Sequence, residues 1–280
     1  MYLFGLALVM DSLADHQNLE LCYKCNISAV TIYAFSIENF KRPKAQVDTL
    51  MELFKTFLQR ISERGGLLHR HGVSMRVVGR LELLEPDLLS TIKSTTDLAR
   101  DYGEKVLNIC LSYTSRDEIA SAMRQTVVEC GIPAEAATQK SDFIRDSSVK
   151  RLPFLHSNPT FVKVEQVPIA PDQITSETLS DRMLIAKNPP LDILIRTSGA
   201  HRLSDFLLWQ CHQATYILFV ETMWPDFGLW QFFSALREWQ QWKRRVGNES
   251  KEVSSDKSDN LRRLNVQVGE KAALWVTFYV

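Results

Sequence analysis

The sequence lacks the excess of one charge that is typical of proteins that bind nucleic acid or anionic membrane surfaces. Its 33 Lys and Arg residues are balanced by 33 Asp and Glu residues. A chain without net charge has no long-range attraction to a polyanion. We therefore expect no nucleic-acid partner, and any site for an anion must be formed by a local group of side chains.

Cysteine pairs and long apolar runs are also scarce. The chain has 5 cysteines, an odd and scattered set that predicts no disulfide framework and favours a reducing compartment. Cys22 and Cys25 form a C-x-x-C with no second pair of ligands, so we interpret them as helix residues without a metal. The apolar start MYLFGLALVM is shorter than the roughly 20 residues of a membrane span, and it lacks the flanks of a signal peptide.

What the sequence does contain is a pattern typical of an α/β domain. Apolar residues make up 45% of 280 residues, enough for one large domain with a buried core. Short β-branched runs alternate with longer amphipathic stretches, which predicts a mainly parallel central sheet flanked by helices. The predicted strands are 29–35, 73–78, 106–111, 191–195 and 216–220, and the predicted helices are 45–63, 85–102, 115–130, 204–212 and 227–245.

Two regions show no sustained periodicity. The stretch from about 131 to 171 mixes Pro, Ser, Lys and Asp, and we interpret it as an inserted surface loop. Residues 248–280 are predicted to be a polar, flexible tail, because they begin with the polar run NESKEVSSDKSDN. The last residues, LWVTFYV, have the composition of a strand but no predicted neighbour. The predicted domain therefore covers residues 1–247.

Polar side chains gather after two of the predicted strands. Ligands of open α/β sheets bind beyond the carboxyl ends of the strands, and guanidinium groups match phosphate oxygens. The residues after strand 29–35 are Ser36, Glu38, Asn39 and Arg42. Those after strand 191–195 are Arg196, Arg202 and Ser204. They predict an anion site. The alternative is structural: Arg196 pairs with a nearby carboxylate, and Ser204 caps the predicted helix.

Four blocks resemble the signature motifs of cis-prenyltransferases. They are YAFSIENFKRP, LNICLSYTSRDEI, ILIRTSG followed by RLSDFLLWQ, and WPDF, and they extend from about residue 30 to residue 227. Their spelling is most similar to the eukaryotic dehydrodolichyl diphosphate synthases. A nucleotide-binding enzyme is disfavoured, because neither G-x-x-x-x-G-K-S/T nor G-x-G-x-x-G occurs.

The resemblance implies a reaction and roles for particular residues. Isopentenyl diphosphate would condense with an allylic diphosphate such as farnesyl diphosphate until a hydrophobic tunnel is filled, with Mg²⁺ assisting the leaving diphosphate. The product would be a long-chain polyprenyl diphosphate for dolichol synthesis. By position, the implied substrate-binding residues are Arg196, Arg202, Ser204 and Phe35, the catalytic residues are Ser36, Asn39 and Arg42, and the tunnel residues are Met51, Phe54 and Leu58. The tunnel residues also suit ordinary core on an amphipathic helix.

The family also implies an assembly and a location. We expect a homodimer, or a heteromer with a cis-prenyltransferase accessory subunit. Peripheral contact with a membrane would place the chain on the cytosolic face of the endoplasmic reticulum or in the cytoplasm. Arg244-Arg245-Val246-Gly247 resembles the family's R-x-G element, but it also suits a routine helix end.

The sequence departs from the family at three places. The block close to MDGNxRxA, which carries the central acid on the first strand, is not found, so the domain is predicted to be incomplete at its N-terminus. Met10, Asp11 and Ser12 instead suit the start of a helix before the YAFS strand, with Asp11 at its surface. Ala200 and Gln46 each stand where the family has Glu, which should weaken magnesium positioning or proton acceptance. The alternative function is a non-catalytic partner subunit of the same fold.

Overall fold

The structure, a computed structural model, describes residues 13–129, 173–212, 214–223, 226–256 and 275–279. The chain divides into two compact units, one of residues 1–116 and 187–280 and the other of residues 117–186. The first unit contains the sheet and every predicted site residue. Asp11 and the predicted surface loop at about 131–171 lie outside the described residues.

A six-stranded sheet forms the centre of the first unit. Its strands lie in the order β2, β3, β1, β6, β4, β5, and each neighbouring pair is parallel. In β1, every residue except the last is buried, as expected for parallel strands covered on both faces. The prediction of a mainly parallel α/β sheet is confirmed. The strands are β1 (Ala29–Ser36), β2 (Val73–Val78), β3 (Lys105–Tyr113), β4 (Ile193–Arg196), β5 (Tyr216–Phe219) and β6 (Trp275–Tyr279).

Helices precede and separate these strands. They are α1 (Leu13–Lys24), α2 (Lys44–Ser62), α3 (Leu67–His71), α4 (Pro86–Ala99), α5 (Ser115–Glu129), α6 (Ser176–Ser180) and α7 (Leu229–Asp256). A short 3₁₀ helix, Ile37–Lys41, follows β1. The long helix α2 begins directly after Pro43 and buries one apolar stripe, Leu50, Phe54, Phe57, Leu58 and Ile61. This stripe packs into the core together with residues of β1, β2 and α4.

The smaller unit is described only in part. In it, the Glu118 carboxylate accepts a hydrogen bond from the backbone N–H of Leu184 at 2.9 Å. The Arg182 Nε donates to the Glu129 carboxylate at 2.9 Å. These bonds tie helix α5 to the chain that follows α6.

One predicted helix and the predicted end of another were wrong. Residues 204–212 form turns instead of a helix, because Ser204, Asp205 and Leu207 have positive φ angles of 45°, 61° and 46°, which a right-handed helix does not accept. Helix α7 does not stop near residue 245 but continues through Gly247 to Asp256. A single glycine costs only about 1 kcal/mol in a helix, so it does not by itself end one.

The end of the chain also differs from the predicted flexible tail. Strand β6 lies between β1 and β4, with Trp275 opposite Ala29 in one ladder and Tyr279 opposite Arg196 in the other. Backbone N–H and C=O groups in the middle of a sheet need partners on both sides, and β6 supplies them to two strands at once.

Among the helices that the structure describes, none has the length and apolar character that crossing a membrane requires.

Candidate functional site

A cavity of about 520 Å³ lies at the carboxyl edge of the sheet. Strands β1, β3 and β4 are parallel to their neighbours, so their carboxyl ends point to this same edge. The residues that line the cavity come from the end of β1 and the turn after it, from the start of α5 and from the segment after β4. They are Tyr33, Ala34, Phe35, Ser36, Glu38, Asn39, Arg42, Arg116, Ser204, Asp205 and Leu208.

The end of β1 delivers the three predicted catalytic residues to this cavity. Ser36 caps the short 3₁₀ helix: its Oγ accepts the backbone N–H of Glu38 at 3.2 Å, and its own N–H donates to Asn39 Oδ1 at 2.8 Å. The backbone N–H of Arg42 donates to the Asn39 carbonyl at 3.1 Å and ends the helix. Ser36 and Asn39 therefore hold this turn together as well as lining the cavity, and their catalytic role stays a prediction.

Aromatic rings form the apolar wall of the cavity. Tyr33 stacks on Phe206 with ring centroids 4.4 Å apart, and its hydroxyl donates to the Tyr113 carbonyl at 2.9 Å. Phe35 is buried and meets Phe40 edge to face, with centroids 4.9 Å apart. These contacts keep the rings in place beside the polar turn, so the cavity offers an apolar and a polar side to a ligand.

Arg196 and Ser204 form one hydrogen-bonded pair. The Arg196 side chain is at the carboxyl end of β4 and is only 3% exposed. Its Nη1 donates to Ser204 Oγ at 3.2 Å. Ser204 lines the cavity, and because its oxygen accepts from Arg196, its hydroxyl proton is free to point toward an anion. Ser204 is not the cap of a helix, because residues 204–212 form turns. Arg196 acts on the cavity through its hydrogen bond to Ser204.

Arg202 is placed differently from the other predicted diphosphate ligands. Its side chain is exposed and is not part of the cavity wall. Its backbone N–H donates to the Ala200 carbonyl at 2.9 Å. The predicted role of Arg202 in binding stays a prediction.

The turn after β4 requires glycine at position 199. Gly199 has a φ of +64°, and a Cβ there would lie 2.4 Å from Glu221 Oε2. Its N–H donates to the Val220 carbonyl at 2.9 Å, and the N–H of Ser198 donates to the Thr222 carbonyl at 2.9 Å. The turn is therefore fixed to the segment after β5. A side chain at 199 would strain the backbone at this φ and displace the Glu221 carboxylate.

Asp205 and Arg116, which sequence reasoning missed, connect the segment after β4 to the start of α5. The backbone N–H and Nε of Arg116 donate to the two Asp205 carboxylate oxygens at 2.9 and 2.8 Å. The Ser115 N–H donates to the Asp205 carbonyl at 2.8 Å, and Ser115 Oγ accepts the Leu208 N–H at 2.9 Å. The hydrogen bond that the Arg116 side chain donates to Asp205 raises the pKa of Arg116, which keeps this exposed guanidinium charged. Non-glycine residues at positive φ each cost about 1–3 kcal/mol, and these bonds offset that cost at Ser204 and Asp205.

One signal could have led to Arg116. It lies just beyond the carboxyl end of β3, the third parallel strand that points at the cavity, so the rule applied to β1 and β4 also applies to it. Asp205 has no comparable signal, because its partner lies 89 residues away in the sequence.

The predicted tunnel residues fall into two groups. Phe54 and Leu58 are 1% and 0% exposed in the core, and neither lines a described cavity. Met51 is half-buried and lines a second cavity of about 310 Å³ between α2 and α4. Arg42 lines both cavities. The assignment of a tunnel to these three residues stays a prediction.

The cavity carries two cations and two carboxylates. Arg42 and Arg116 are the cations, and Glu38 and Asp205 are the carboxylates. Glu38 forms an exposed ion pair with Lys41 at 2.5 Å, whereas Asp205 is occupied by Arg116. Within the described ranges, no three His, Cys, Asp or Glu side chains gather closely enough to hold a metal ion by themselves.

The family model described as putative undecaprenyl diphosphate synthase matches residues 10–247. The chain belongs to this family. The match confirms the predicted cis-prenyltransferase resemblance and covers both strand ends that form the cavity.

Curated members of the family from several kingdoms are similar in sequence. A dehydrodolichyl diphosphate synthase complex subunit of Schizosaccharomyces pombe is 38% identical over 222 residues, which are 79% of this chain and 71% of that protein. The corresponding subunit of Homo sapiens is 37% identical over 80% of this chain and 57% of its own length. An isoprenyl transferase of Agrobacterium fabrum is 33% identical over 86% of this chain and 82% of that protein. The chain thus spans little more than half the length of the human relative.

Solved structures of prenyl diphosphate synthases share the fold. Lavandulyl diphosphate synthase from Lavandula x intermedia, in complex with dimethylallyl diphosphate, superposes with a TM-score of 0.65 and 25% identity, covering 85% of this chain and 86% of that chain. A probable undecaprenyl diphosphate synthase from Campylobacter jejuni gives a TM-score of 0.58 and 27% identity, covering 81% of this chain and 86% of that chain.

Proposed function

We propose that this chain is a cis-prenyltransferase that condenses isopentenyl diphosphate with an allylic diphosphate such as farnesyl diphosphate. The product would be a long-chain polyprenyl diphosphate of the dehydrodolichyl type, used for dolichol synthesis. The observation that carries the proposal is Ser204, which accepts a hydrogen bond from the buried Arg196 and lines one cavity with Arg42 and Arg116 at the carboxyl ends of the strands. Two guanidinium groups, together with a hydroxyl that a third guanidinium holds in place, suit a diphosphate.

The arrangement suits an alkyl transfer in which the enzyme stabilises charge. A carbon–carbon bond forms between the two isoprenoid units while the allylic carbon–oxygen bond breaks, diphosphate leaves, and the isopentenyl unit loses a proton. The cations around the cavity would hold the charged diphosphate of isopentenyl diphosphate and so orient its reacting carbon. Tyr33, which stacks on the buried Phe206, and Phe35 form an apolar wall that would exclude water from the reacting carbons.

We propose further that Mg²⁺ binds together with a substrate diphosphate. Magnesium keeps several waters and usually needs only one or two carboxylates besides phosphate oxygens. Asp205 is paired with Arg116, whereas Glu38 is paired only with the exposed Lys41. Glu38 would therefore hold the ion, in exchange for Lys41. When bound, Mg²⁺ would neutralise charge on the leaving diphosphate. With Ala200 and Gln46 in place of carboxylates, we expect this binding to be weak.

We propose that the chain works in an assembly at a membrane. The names of the fungal and human relatives, which are complex subunits, support a heteromer with a cis-prenyltransferase accessory subunit, and a homodimer is the alternative. Because the product is a lipid, peripheral contact with the cytosolic face of the endoplasmic reticulum is expected. A purely cytoplasmic chain is the alternative.

An incorporation assay tests the reaction. The purified chain, alone and with a candidate accessory subunit, is incubated with farnesyl diphosphate, labelled isopentenyl diphosphate and Mg²⁺. We expect long-chain product in at least one of the two samples. If the chain binds isopentenyl diphosphate but forms no product in either sample, the non-catalytic partner subunit replaces the enzyme.

A binding series tests the site separately from the reaction. Arg196→Ala should weaken binding of isopentenyl diphosphate by about 2 kcal/mol, as expected for the loss of a charge-assisted contact. Arg202→Ala should weaken it as well, and an unchanged affinity would remove Arg202 from the site. The matched control is Arg100→Ala, because Arg100 is an exposed arginine near the end of α4 that pairs with Asp97. If Arg196→Ala and Arg100→Ala bind equally well, the assignment of the cavity is wrong.

A further inference from the structure

We infer that Asp205 is a positioning residue, which holds Ser204 in the orientation that binds phosphate by anchoring its segment to Arg116. The inference rests on the proposed function, because it assigns a task within the same diphosphate site. Asp205 is the next residue after Ser204, and its side chain is only 12% exposed. It bonds to the chain near the end of β3, at Ser115 and Arg116.

Three hydrogen bonds fix Asp205 to residues 115 and 116. Its two carboxylate oxygens accept from the N–H and Nε of Arg116 at 2.9 and 2.8 Å, and its carbonyl accepts from the Ser115 N–H at 2.8 Å. Two bonds to backbone N–H groups and one to a planar guanidinium define both the position and the direction of the residue. The neighbouring peptide, which carries Ser204, is fixed with it.

The segment would not keep this shape without such bonds. Ser204 and Asp205 have positive φ angles of 45° and 61°, which residues with a Cβ rarely adopt unless their surroundings force them to. On the other side of Asp205, Phe206 and Leu207 are completely buried. The side chain of Ser204 is therefore held between this anchored segment and the guanidinium of Arg196.

If Asp205 acted only through its charge, its effect on binding would be the opposite of the one that positioning predicts. A carboxylate in the wall of a cavity for anions repels a bound diphosphate, so its removal should improve binding if charge were its only contribution. A residue that acts by position has the opposite effect: its removal weakens binding. The sign of the change therefore separates the two interpretations.

Four variants and one control test the inference by calorimetry, with inorganic diphosphate and isopentenyl diphosphate as probes. The variants are Asp205→Asn, Asp205→Glu, Ser204→Ala, and the double variant with Ser204→Ala and Asp205→Asn. The control is Asp97→Asn, which breaks an exposed ion pair on α4. We expect about ten-fold weaker binding for Asp205→Asn and for Ser204→Ala, as for one lost hydrogen bond to a charged group. The double variant should bind no more weakly than Ser204→Ala, because Asp205 acts through Ser204.

Asp205→Glu keeps the charge and moves the carboxylate, so weaker binding by this variant supports positioning even if Asp205→Asn is too unstable to study. The inference would be overturned if Asp205→Asn or Asp205→Glu bound the probes as tightly as the wild type or more tightly. It would also be overturned if the binding free energies lost in the two single variants added up in the double variant. If the wild-type chain binds neither probe, or if Ser204→Ala binds like the wild type, the diphosphate site itself is wrong and the inference falls with it. Asp97→Asn should bind like the wild type in every case.

Discussion

Several polar residues at the strand ends have two tasks, which makes single substitutions there hard to interpret. Ser36 caps a turn and lines the cavity, and Asp205 accepts three hydrogen bonds next to the hydroxyl that we assign to phosphate binding. Replacing an N-cap serine by alanine alone costs about 1 kcal/mol of stability. A loss of activity in such variants must therefore be compared with their free energy of unfolding before it is attributed to catalysis.

A histidine outside the site should set part of the pH dependence of stability. His71 packs against the ring of Tyr23 with centroids 5.9 Å apart, and its Nε2 lies 3.9 Å from Glu20 Oε1, too far for a hydrogen bond. Burial lowers the pKa of His71; Glu20 opposes this shift, and Lys105, Arg70 and Lys24 add to it. The neutral ring is therefore favoured in the folded chain. This contribution to stability is present above the unfolded pKa of about 6.5 and is lost as the pH falls below it.

We expect the free energy of unfolding to fall between pH 7.5 and pH 5.5, and to fall less in His71→Phe, which keeps a ring beside Tyr23. Urea unfolding at the two pH values measures this difference. Glu20 does not interfere, because its pKa is lowered, chiefly by the hydrogen bond to Lys24, and its own contribution is lost only below about pH 4.5. An equal pH dependence in the variant and the wild type would contradict the role of His71.

At the scale of elements, helix α2 has a core face and a cavity face. Leu58 is 0% exposed and belongs to the core, whereas Met51 is half-buried at the second cavity. We expect Leu58→Ala to cost about 2–5 kcal/mol of unfolding free energy, the range for a large-to-small change in a packed core. Met51→Ala should cost clearly less, because part of its surface already meets the cavity.

Chemical denaturation of the two variants measures these costs, and the length of the polyprenyl product gives a second comparison. If Met51 contacts the growing chain, Met51→Ala changes the product length at nearly unchanged stability. Equal costs for the two substitutions would mean that the cavity beside Met51 is closed in solution.

Strand β6 should be essential to the sheet, although it comes from the end of the chain. The backbone of Thr277 lies opposite Thr31 on one side and Leu194 on the other. Thr277→Pro removes a backbone N–H from the middle of the sheet, and the acceptor left without a partner costs about 1–3 kcal/mol by itself. Thr277→Val is the matched control, because it keeps the N–H and the β-branched shape.

Thermal unfolding monitored by circular dichroism compares these two variants. We expect a large loss of stability for Thr277→Pro and little change for Thr277→Val. A wild-type melting temperature in Thr277→Pro would show that the sheet does not depend on β6 between β1 and β4.

At the scale of the whole molecule, we expect diphosphate to stabilise the folded chain by binding in the cavity, and not through the net charge of the chain. The chain has no net charge, so inorganic diphosphate should stabilise it only by occupying the site. At 100 times its Kd, a ligand of the folded state adds about 2.7 kcal/mol of stability.

Thermal unfolding with and without diphosphate measures this stabilisation. We expect it in the wild type and in Arg100→Ala, and we expect it to be much smaller in Arg196→Ala. Sodium chloride at equal ionic strength controls for general salt effects. The same stabilisation in Arg196→Ala would place the diphosphate outside the proposed site.

The sequence alone predicted most local elements, because their signals are local. The β-branched run of β1 and the three-and-four spacing in α2 each depend on residues within one element, and the structure has both close to the predicted ends. The same local reasoning was wrong at 204–212, where an apolar pattern resembling a helix is overridden by bonds from residues 115 and 116. Propensity is a weak guide where tertiary contacts set the backbone.

What the sequence by itself determined is that the chain has a parallel α/β fold, belongs to the cis-prenyltransferase family and bears polar residues beyond β1 and β4. Only the tertiary structure decided which of those residues meet in one cavity, that Asp205 joins Arg116 across 89 residues, and that β6 lies between β1 and β4. The reason is physical. Periodicity reports which face of an element is buried, whereas strand order and long-range hydrogen bonds depend on how the whole chain satisfies its backbone groups.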